Sequence, residues 1–132
     1  MLYRDIIKFE TKKGEIKDLT KNVRDVVKKS RIKNGLCHVY FLGTTGAVII
    51  NENDPLVLED FKKTIDVLVP SDKMYIHPSN AYSHIRSMMM NNNFSIPVSD
   101  NEIILGIYQT IMFAEFDTTN RTREIILTIS GD

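Results

Sequence analysis

The last third of the chain contains four consecutive segments with the composition of β-strands and no helical pattern between them. The segments span residues 94–98, 102–108, 110–116 and 124–129, and they are rich in the β-branched and aromatic residues that strands favour. Consecutive strands joined by short turns pair antiparallel, because a parallel pair needs a long crossover. Since the helical patterns are grouped earlier in the chain, the sequence predicts an α+β fold of mostly antiparallel, sandwich-like β-sheets with two to three helices.

Patterns in the first half of the chain predict further strands around one helix. In order, they are a strand at residues 2–10, a helix that starts at Asp18 or Thr20 and ends at Asn34-Gly35, and strand pieces at 36–42 and 47–51 separated by a bulge or turn at Gly43-Thr44-Thr45-Gly46. Near the other end of the chain, Asp117-Thr118-Thr119-Asn120 predicts a hairpin loop.

Two more helices are predicted between residues 54 and 91. Asp54-Pro55 is a helix start, since a carboxylate caps free N–H groups and proline is tolerated in the first turn. Pro70 ends this helix, whose apolar residues at helical spacing are Val57, Phe61, Ile65 and Leu68. The next helix starts at Ser79 or Asn80 and runs to Asn91, with an inward stripe of Ala81, His84 or Ile85, and Met88.

The composition excludes several classes of protein. The chain has 132 residues, which fits a single domain over residues 1–132. Lys and Arg total 17, as do Asp and Glu, so the basic surplus of a generic nucleic-acid binder is missing. Cys37 is the only cysteine, which rules out a disulfide within the chain and a cysteine-based zinc site. No apolar run approaches the ~20 residues of a membrane span and no signal peptide is evident, so we expect a cytoplasmic protein.

The predicted sheets carry more apolar residues than one small core needs. Ile103, Leu105, Ile107, Ile111 and Phe113 fall in strand segments that few helices can cover. A large exposed apolar face is typical of a protein–protein contact. We therefore expect a homo-oligomer that buries this face.

Two of the three histidines flank a predicted helix start. His77 precedes Pro78, which keeps it in a loop, and His84 falls in the first turns of the following helix. A loop and the helix that it enters can bring two such side chains together. Glu52 lies at a strand end just before the helix that Asp54 caps, where rigid elements present reactive groups.

Three interpretations of this set remain open. In the first, one imidazole is a general acid or base oriented by Glu52, because imidazole ionises near neutral pH. In the second, His77, His84 and Glu52 bind a divalent metal such as Mg or Zn, although no spacing diagnostic of a metal site is present. In the third, His84 is a hydrogen-bonded core residue and His77 is a surface loop residue.

Two arginines form a further candidate site. Arg121 and Arg123 flank Thr122 and therefore point to the same side of a strand. Such a pair can grip phosphate or carboxylate. Solvated charges beside a loop produce the same pattern, so the spacing leaves the anion site open.

A set of short motifs, in this order and spacing, resembles the YjbQ-like family along nearly the whole chain. The motifs are Thr44-Thr45-Gly46, Asn51-Glu52-Asn53, Tyr75 with His77, Asn80-Ala81, His84-Ile85, Ile96-Pro97-Val98, Leu105-Gly106 with Gln109, Glu115-Phe116-Asp117, Arg121-Thr122-Arg123 and Gly131. Each motif is weak alone, and the set is specific. The resemblance implies one YjbQ-like domain with a small α+β fold, assembled as a homotrimer whose β-sheets pack around the threefold axis.

The resemblance also implies a functional site. Some members of the family are credited with a secondary thiamine-phosphate synthase activity, which implies a divergent enzyme that acts on a small phosphorylated substrate. The catalytic residues are then His84, His77 and Glu52, and the substrate-binding residues are Thr44, Thr45, Asn80, Gln109, Arg121 and Arg123. The alternatives are a non-catalytic oligomeric module for an anionic metabolite and a divalent-metal protein with His77 and His84 as ligands. Neither a nucleic acid nor a membrane is an expected partner.

Three positions depart from the family pattern. Gly43 stands where the pattern usually has His before Thr-Thr, Tyr82 where it has Asp, and Gly106-Ile107-Tyr108-Gln109 where it has Gly-Thr-Trp-Gln. Two polar groups are thus lost. A proton relay or metal site that used all the groups would lose orientation and charge compensation, so we expect a changed or decayed activity.

Overall fold

The computed structural model describes residues 1–132 and contains eight β-strands and three α-helices. In chain order they are β1 (Leu2–Thr11), β2 (Ile16–Asp18), α1 (Thr20–Ser30), β3 (Gly35–Phe41), β4 (Gly46–Asn51), α2 (Pro55–Leu68), α3 (Ala81–Met89), β5 (Asn93–Ser99), β6 (Glu102–Ile103), β7 (Thr110–Glu115) and β8 (Arg121–Gly131). Every pairing between neighbouring strands is antiparallel, which confirms the predicted α+β class. None of the helices is long and apolar enough to cross a bilayer.

The strands form two sheets, and strands that are consecutive in the chain often lie in different ones. The large sheet has the order β1-β8-β3-β5-β6, and the small sheet has the order β2-β7-β4. The chain crosses from the large sheet to the small one after β1, β3 and β6, and it returns after β2, β4 and β7. Both sheets therefore depend on contacts between distant parts of the sequence, such as the pairing of Leu2 with Ser130.

The hydrophobic core lies between the inner faces of the two sheets and α1. Phe113 of the small sheet contacts two rings of the large sheet edge-on, with its centroid 5.2 Å from that of Phe9 and 4.8 Å from that of Phe41. Such pairs contribute about 0.5–1.5 kcal/mol each beyond the burial of their surface. α1 adds Val23 and Val27 from its apolar side, as its sequence predicts.

The helix α2 begins as its sequence predicts. The Asp54 carboxylate accepts hydrogen bonds from the backbone N–H groups of Leu56 and Val57, at 2.8 and 3.1 Å. Pro55 occupies the first turn, where its missing N–H leaves no hydrogen bond unmade. A cap of this kind stabilises a helix by roughly 1 kcal/mol.

The helix α3 runs along β4 at the edge of the small sheet. The Ser87 hydroxyl donates to the Gly46 carbonyl at 2.6 Å, and the Val48 N–H donates to the Asn91 carbonyl at 3.0 Å. These bonds satisfy backbone groups that an uncovered edge strand would expose. They also fix α3, which carries His84, relative to the start of β4.

A buried ion pair between Glu115 and Arg123 joins the two sheets. The guanidinium donates to both carboxylate oxygens, at 2.8 and 2.5 Å, and both side chains are almost completely buried. The Thr11 hydroxyl donates to the same carboxylate at 2.6 Å, and Arg123 also donates to the Thr45 hydroxyl at 2.8 Å. Since Glu115 ends β7 while Thr11 and Arg123 lie in β1 and β8, this network holds the small sheet on the large one.

The predicted hairpin at residues 117–120 is wrong. These residues connect two sheets, because β7 pairs with β2 and β4 whereas β8 pairs with β1 and β3. The segment at residues 43–45 is likewise a crossing to the other sheet, and not a break between two pieces of one sheet. Alternating patterns reveal that a segment is a strand, but they do not reveal its partner.

Two predicted element ends also differ from the structure. α1 ends at Ser30, before the expected Asn34-Gly35 stop, because Arg31 adopts the left-handed conformation with φ of 58° and its N–H donates to the Lys28 carbonyl. The strand predicted at 102–108 stops at Ile103. Beyond it, the Gln109 side chain accepts a hydrogen bond from the Gly106 N–H at 2.7 Å and closes a turn.

The buried faces of α2 and α3 agree with the predictions only at Ile65 and Ala81. In α2, Ile65 is buried, but Val57 and Leu68 are largely exposed. In α3, Met88 of the predicted inward stripe is 81% exposed. The buried residues of α3 are Ala81, Tyr82, Ser83 and Arg86, because this helix turns its polar side chains toward α2 and the end of β7.

The expected surplus apolar face is largely inside the molecule. Ile111 and Phe113 are fully buried, Ile103 is nearly so, and Leu105 packs against the core. Only Ile107 is freely exposed. The segments lie in the small sheet or at the covered edge of the large one, which the sequence pattern could not show.

The apolar surface that no helix covers lies on the outer face of the large sheet. Ile6, Ile126 and Tyr40 stand side by side on β1, β8 and β3, and we call them the apolar row. Leu2 and Leu36 lie on the same face, on either side of Ser130. Half of the Ile6 side chain remains exposed in the single chain.

Breaking the buried ion pair should destabilise the fold strongly. Glu115→Leu leaves the Arg123 guanidinium buried without its carboxylate, and we expect the free energy of unfolding to fall by about 3–5 kcal/mol. The double variant Glu115→Leu/Arg123→Met should lose clearly less than the sum of the two single variants. Urea unfolding of the four proteins measures this, and strictly additive losses would contradict the role of the pair.

Candidate functional site

A groove opens between α3 and the loop at residues 70–80 that precedes it. Its volume is about 560 Å³, which lies within the range of small-molecule sites. We call it the histidine groove, and its lining residues are Lys73, Met74, Tyr75, Ile76, His77, Ala81, His84, Ile85 and Met88. Most of this lining is apolar, with a few polar groups among it, as is typical of ligand sites.

His77 and His84 face each other in this groove. Their ring centroids are 5.2 Å apart, and the ring planes are inclined by 62°. The ring of the third histidine, His38, is bonded to Asn93 Oδ1 at 3.1 Å, whereas neither ring in the groove has a hydrogen-bond partner in the chain. The interpretation of His84 as a hydrogen-bonded core residue therefore does not hold. Both imidazoles are free to bind a ligand or to exchange a proton with it.

The histidine groove contains basic groups and no acidic ones. The Lys73 ammonium lies 5.5 Å from the centroid of the Tyr75 ring and forms no ion pair within the chain. No Asp or Glu lines the groove. A cation without a carboxylate partner, next to two free imidazoles, raises the local electrostatic potential.

A second pocket adjoins the histidine groove. Its volume is about 310 Å³, and its lining residues are Gly43, Thr44, His84, Ser87, Met88, Met90 and Asn92. We call it the Thr44 pocket. His84 and Met88 line both spaces, so Thr44, a predicted substrate-binding residue, lies in the same region as the histidines.

A buried arginine fixes the start of the loop that carries Lys73 and His77. The Arg86 guanidinium donates to the Val69 carbonyl at the end of α2, at 3.0 and 2.7 Å, and to the Asp66 carboxylate at 3.0 Å. The Tyr82 ring packs on the same guanidinium. Sequence reasoning missed Arg86, although the spacing of Tyr82 and Arg86, one helical turn apart, was a signal that they share a face.

Asp117 fixes the loop at its other end, where α3 begins. Its buried carboxylate accepts hydrogen bonds from Asn80 Nδ2 at 3.3 Å, from the Thr45 hydroxyl at 3.1 Å and from Arg121 at 2.9 and 2.5 Å. Burial alone would raise the pKa of Asp117. A hydrogen bond from the Thr118 N–H, together with those from the three side chains, outweighs burial and holds the pKa well below its ordinary value.

Four predicted substrate-binding residues thus hold neighbouring carboxylates and do not line the histidine groove. Thr45, Asn80 and Arg121 bind the Asp117 carboxylate, and Arg123 binds Glu115. Each arginine of the expected anion grip already has a carboxylate partner, so the structure does not support that role. Periodicity placed both arginines on one side of a strand but could not show which carboxylates the fold brings to them.

Glu52 and Gln109 lie at the opposite end of the small sheet. The last pair of the β4–β7 ladder joins Asn51 and Thr110, and Glu52 and Gln109 are the next residues along the two segments. The length of β4 separates Glu52 from Gly46, where α3 is bonded, and this is roughly 20 Å of extended chain. Within one chain Glu52 therefore cannot orient His84, which corrects that prediction.

The donor set of one chain does not fit a metal ion. Nowhere in the chain do three or more His, Cys, Asp or Glu side chains converge as ligands. Zinc sites use three or four such ligands, and Mg²⁺ takes oxygen ligands. His77 and His84 alone do not meet either requirement, so the predicted metal role is not supported within one chain.

Comparison with known proteins identifies the family. The sequence profile described as UPF0047 protein YjbQ-like matches residues 5–132. A UPF0047 protein of Methanocaldococcus jannaschii is 34% identical over 100% of this chain and 96% of its own length, and one of Archaeoglobus fulgidus is 38% identical over 88% and 91%. The chain belongs to the UPF0047, YjbQ-like family. A Sulfolobus solfataricus crystal structure, described as a YbjQ-like protein of unknown function, shares 25% identity and has a TM-score of 0.91 over 100% of both chains.

The structure gives the two lost polar groups of the family pattern different meanings. Gly43 lines the Thr44 pocket with its backbone, whereas a Cβ atom at this position would meet the ring of Phe41. Tyr82 is buried against Arg86 and α2 and does not line the histidine groove. Within a single chain, the side chain at position 82 therefore faces away from the histidines, so the lost polar group of the family pattern stays a prediction at this position.

Removing the charge of Asp117 should weaken the fold in a pH-dependent way. Because its folded-state pKa is lowered, this carboxylate stabilises the protein above its unfolded pKa of about 3.9, and the contribution is lost as pH falls toward the folded value. We expect Asp117→Asn to lower the free energy of unfolding by roughly 1–3 kcal/mol at neutral pH. The difference from wild type should narrow below about pH 4.

Urea unfolding at a series of pH values measures this difference. Asp25→Asn is the matched control, because Asp25 forms only an exposed pair with Lys21 on α1. Asp25→Asn should change the free energy of unfolding by no more than ~0.5 kcal/mol. A deficit in Asp117→Asn that stays constant from neutral to acidic pH would show that the charge is not the stabilising element.

Proposed function

We propose that this UPF0047 protein binds a small phosphorylated metabolite in the histidine groove and that His77 and His84 act on it as acid and base. The observation that carries the proposal is the set of three basic groups, Lys73, His77 and His84, none of which forms a hydrogen bond or an ion pair within the chain. A phosphate monoester supplies the negative charge and the acceptor oxygens that this set lacks.

The two imidazoles suit different tasks. A protonated imidazole binds a phosphate oxygen, while a neutral one accepts a proton, and imidazole exchanges protons readily near neutral pH. His84 is half-buried on a fixed helix, which suits a proton donor or acceptor. His77 is exposed on the loop, which suits capture of the incoming anion.

The finer proposal is a divergent thiamine-phosphate-synthase-like transferase, as the resemblance to the family implies. The groove supports the phosphorylated substrate of such a reaction. The Mg²⁺ that assists departure of pyrophosphate finds no carboxylate ligand in the groove of one chain. The alternative, a binding module that holds an anionic metabolite without turning it over, rests on the same three basic groups.

We further propose assembly into a homotrimer. Two features support it. The apolar row on the large sheet is left uncovered, and Glu52 lies at the opposite end of the small sheet from the bonded end of α3. A neighbouring chain can bury the row and can bring a carboxylate to the groove. Light scattering should give three chain masses for the wild type and one for Ile6→Lys/Ile126→Lys. A monomeric wild type at micromolar concentration would remove the proposal.

Anion binding tests the leading proposal directly. By isothermal titration calorimetry, inorganic phosphate and pyrophosphate should bind the wild type, and each of Lys73→Met, His77→Gln and His84→Gln should weaken binding by roughly tenfold or more, the worth of one charge-assisted hydrogen bond. Lys63→Met is the matched control, because Lys63 lies on α2 paired with Glu59. Equal affinity of the triple variant and the wild type would contradict the proposal.

Turnover separates the enzyme from the binding module. Expression in a strain that requires thiamine should restore growth if the chain carries the synthase-like activity. His84→Gln should then fail to restore growth while it retains the same stability in urea unfolding. Growth that is equal with wild type and variant would remove His84 as the acid or base, and phosphate binding without any rescue would favour the binding module.

A further inference from the structure

We infer that the histidine groove and the Thr44 pocket form one two-part site. Its ligand is a phosphorylated molecule with a flat apolar body and an uncharged hydrogen-bonding group at the end away from the phosphate. This inference rests on the proposed function, because it takes Lys73 and His77 as the phosphate end. It adds the chemical class of the remainder of the ligand.

The two spaces adjoin each other along α3. His84 and Met88, one helical turn apart, line both the histidine groove and the Thr44 pocket. A methionine is flexible and moves aside at little cost, so it can close over the body of a ligand that passes it.

The histidine groove is larger and more apolar than an inorganic anion needs. Ile76 and Met74 are almost completely exposed in the chain, and Ile85 lies beside them in the lining. Exposed apolar side chains grouped beside three basic groups match a ligand with an apolar ring next to its phosphate.

The Thr44 pocket has a different character. Its lining contains no Asp, Glu, Lys or Arg. The hydroxyl of Ser87 is bonded to the Gly46 carbonyl, whereas the Thr44 hydroxyl has no partner within the chain. Asn92 accepts a hydrogen bond from Asn93 through Oδ1, which leaves its Nδ2 donors free. A hydroxyl donor and acceptor beside an amide donor recognise a neutral polar group such as a hydroxyl or carbonyl.

Gly43 contributes backbone, and no side chain, to the wall of this pocket. A Cβ atom at position 43 would collide with the ring of Phe41, which is buried in the core against Phe113. The backbone here therefore lies close against the core, and the neighbouring Thr44 is the residue that offers its side chain to the pocket.

Three probes test the two-part site by calorimetry: inorganic phosphate, benzyl phosphate and para-hydroxymethylbenzyl phosphate. Affinity should rise in that order. Ile76→Ser should weaken both aryl phosphates and leave inorganic phosphate unchanged. Thr44→Val, which keeps the shape and removes the hydroxyl, should abolish the advantage of the hydroxymethyl probe, roughly two- to tenfold for one neutral hydrogen bond, and leave benzyl phosphate unchanged.

Thr64→Val on the exposed face of α2 is the matched control and should behave as wild type. Equal binding of the two aryl phosphates by the wild type would overturn the inference while leaving the proposed function in place. Weaker binding of inorganic phosphate by Thr44→Val would also overturn it, because the phosphate would then lie at the wrong end. No binding of any probe would remove the proposed function itself.

Discussion

The ion pair between Arg123 and Glu115 is the contact on which the rest of the molecule depends. It lies where the chain crosses between the two sheets, and two threonine hydroxyls complete its hydrogen bonds. Just beyond it, Asp117 collects a second set of donors and extends the network to Asn80 at the start of α3. Separating such buried partners costs several kcal/mol, about 3–5, so the contacts that align the sheets also place the helix that carries the candidate site.

This arrangement explains how a chain with equal numbers of acidic and basic residues presents a basic groove. Three carboxylates near the site are paired with arginines: Glu115 binds the buried Arg123, Asp117 binds the exposed Arg121, and Asp66 binds Arg86 at the end of α2. Lys73 and the two histidines face the groove, and they form no hydrogen bond or ion pair within the chain. Net charge therefore says little about the local electrostatic potential, because that potential depends on which charges near the site are paired.

Membership of the UPF0047 family carries the fold, since a relative with only 25% identity keeps the same architecture with a TM-score of 0.91. Within that fold, the two positions expected to depart from the family pattern lie in different places. Gly43 contributes backbone to the wall of the Thr44 pocket, while Tyr82 is packed against α2 and does not line the histidine groove.

Local features could be predicted from the amino-acid sequence, namely the α+β class and the Asp54-Pro55 helix start. The contact between His77 and His84 was predictable as well, because a loop and the helix that follows it are close in space. The pairing of the strands, the position of Glu52 and the supporting role of Arg121 and Arg123 became visible in the tertiary structure alone. The physical reason is range. Helix propensity and residue spacing depend on residues that are close in the sequence. The burial of the Glu115 carboxylate depends on a hydrogen bond from Thr11, which is 104 positions away in the chain.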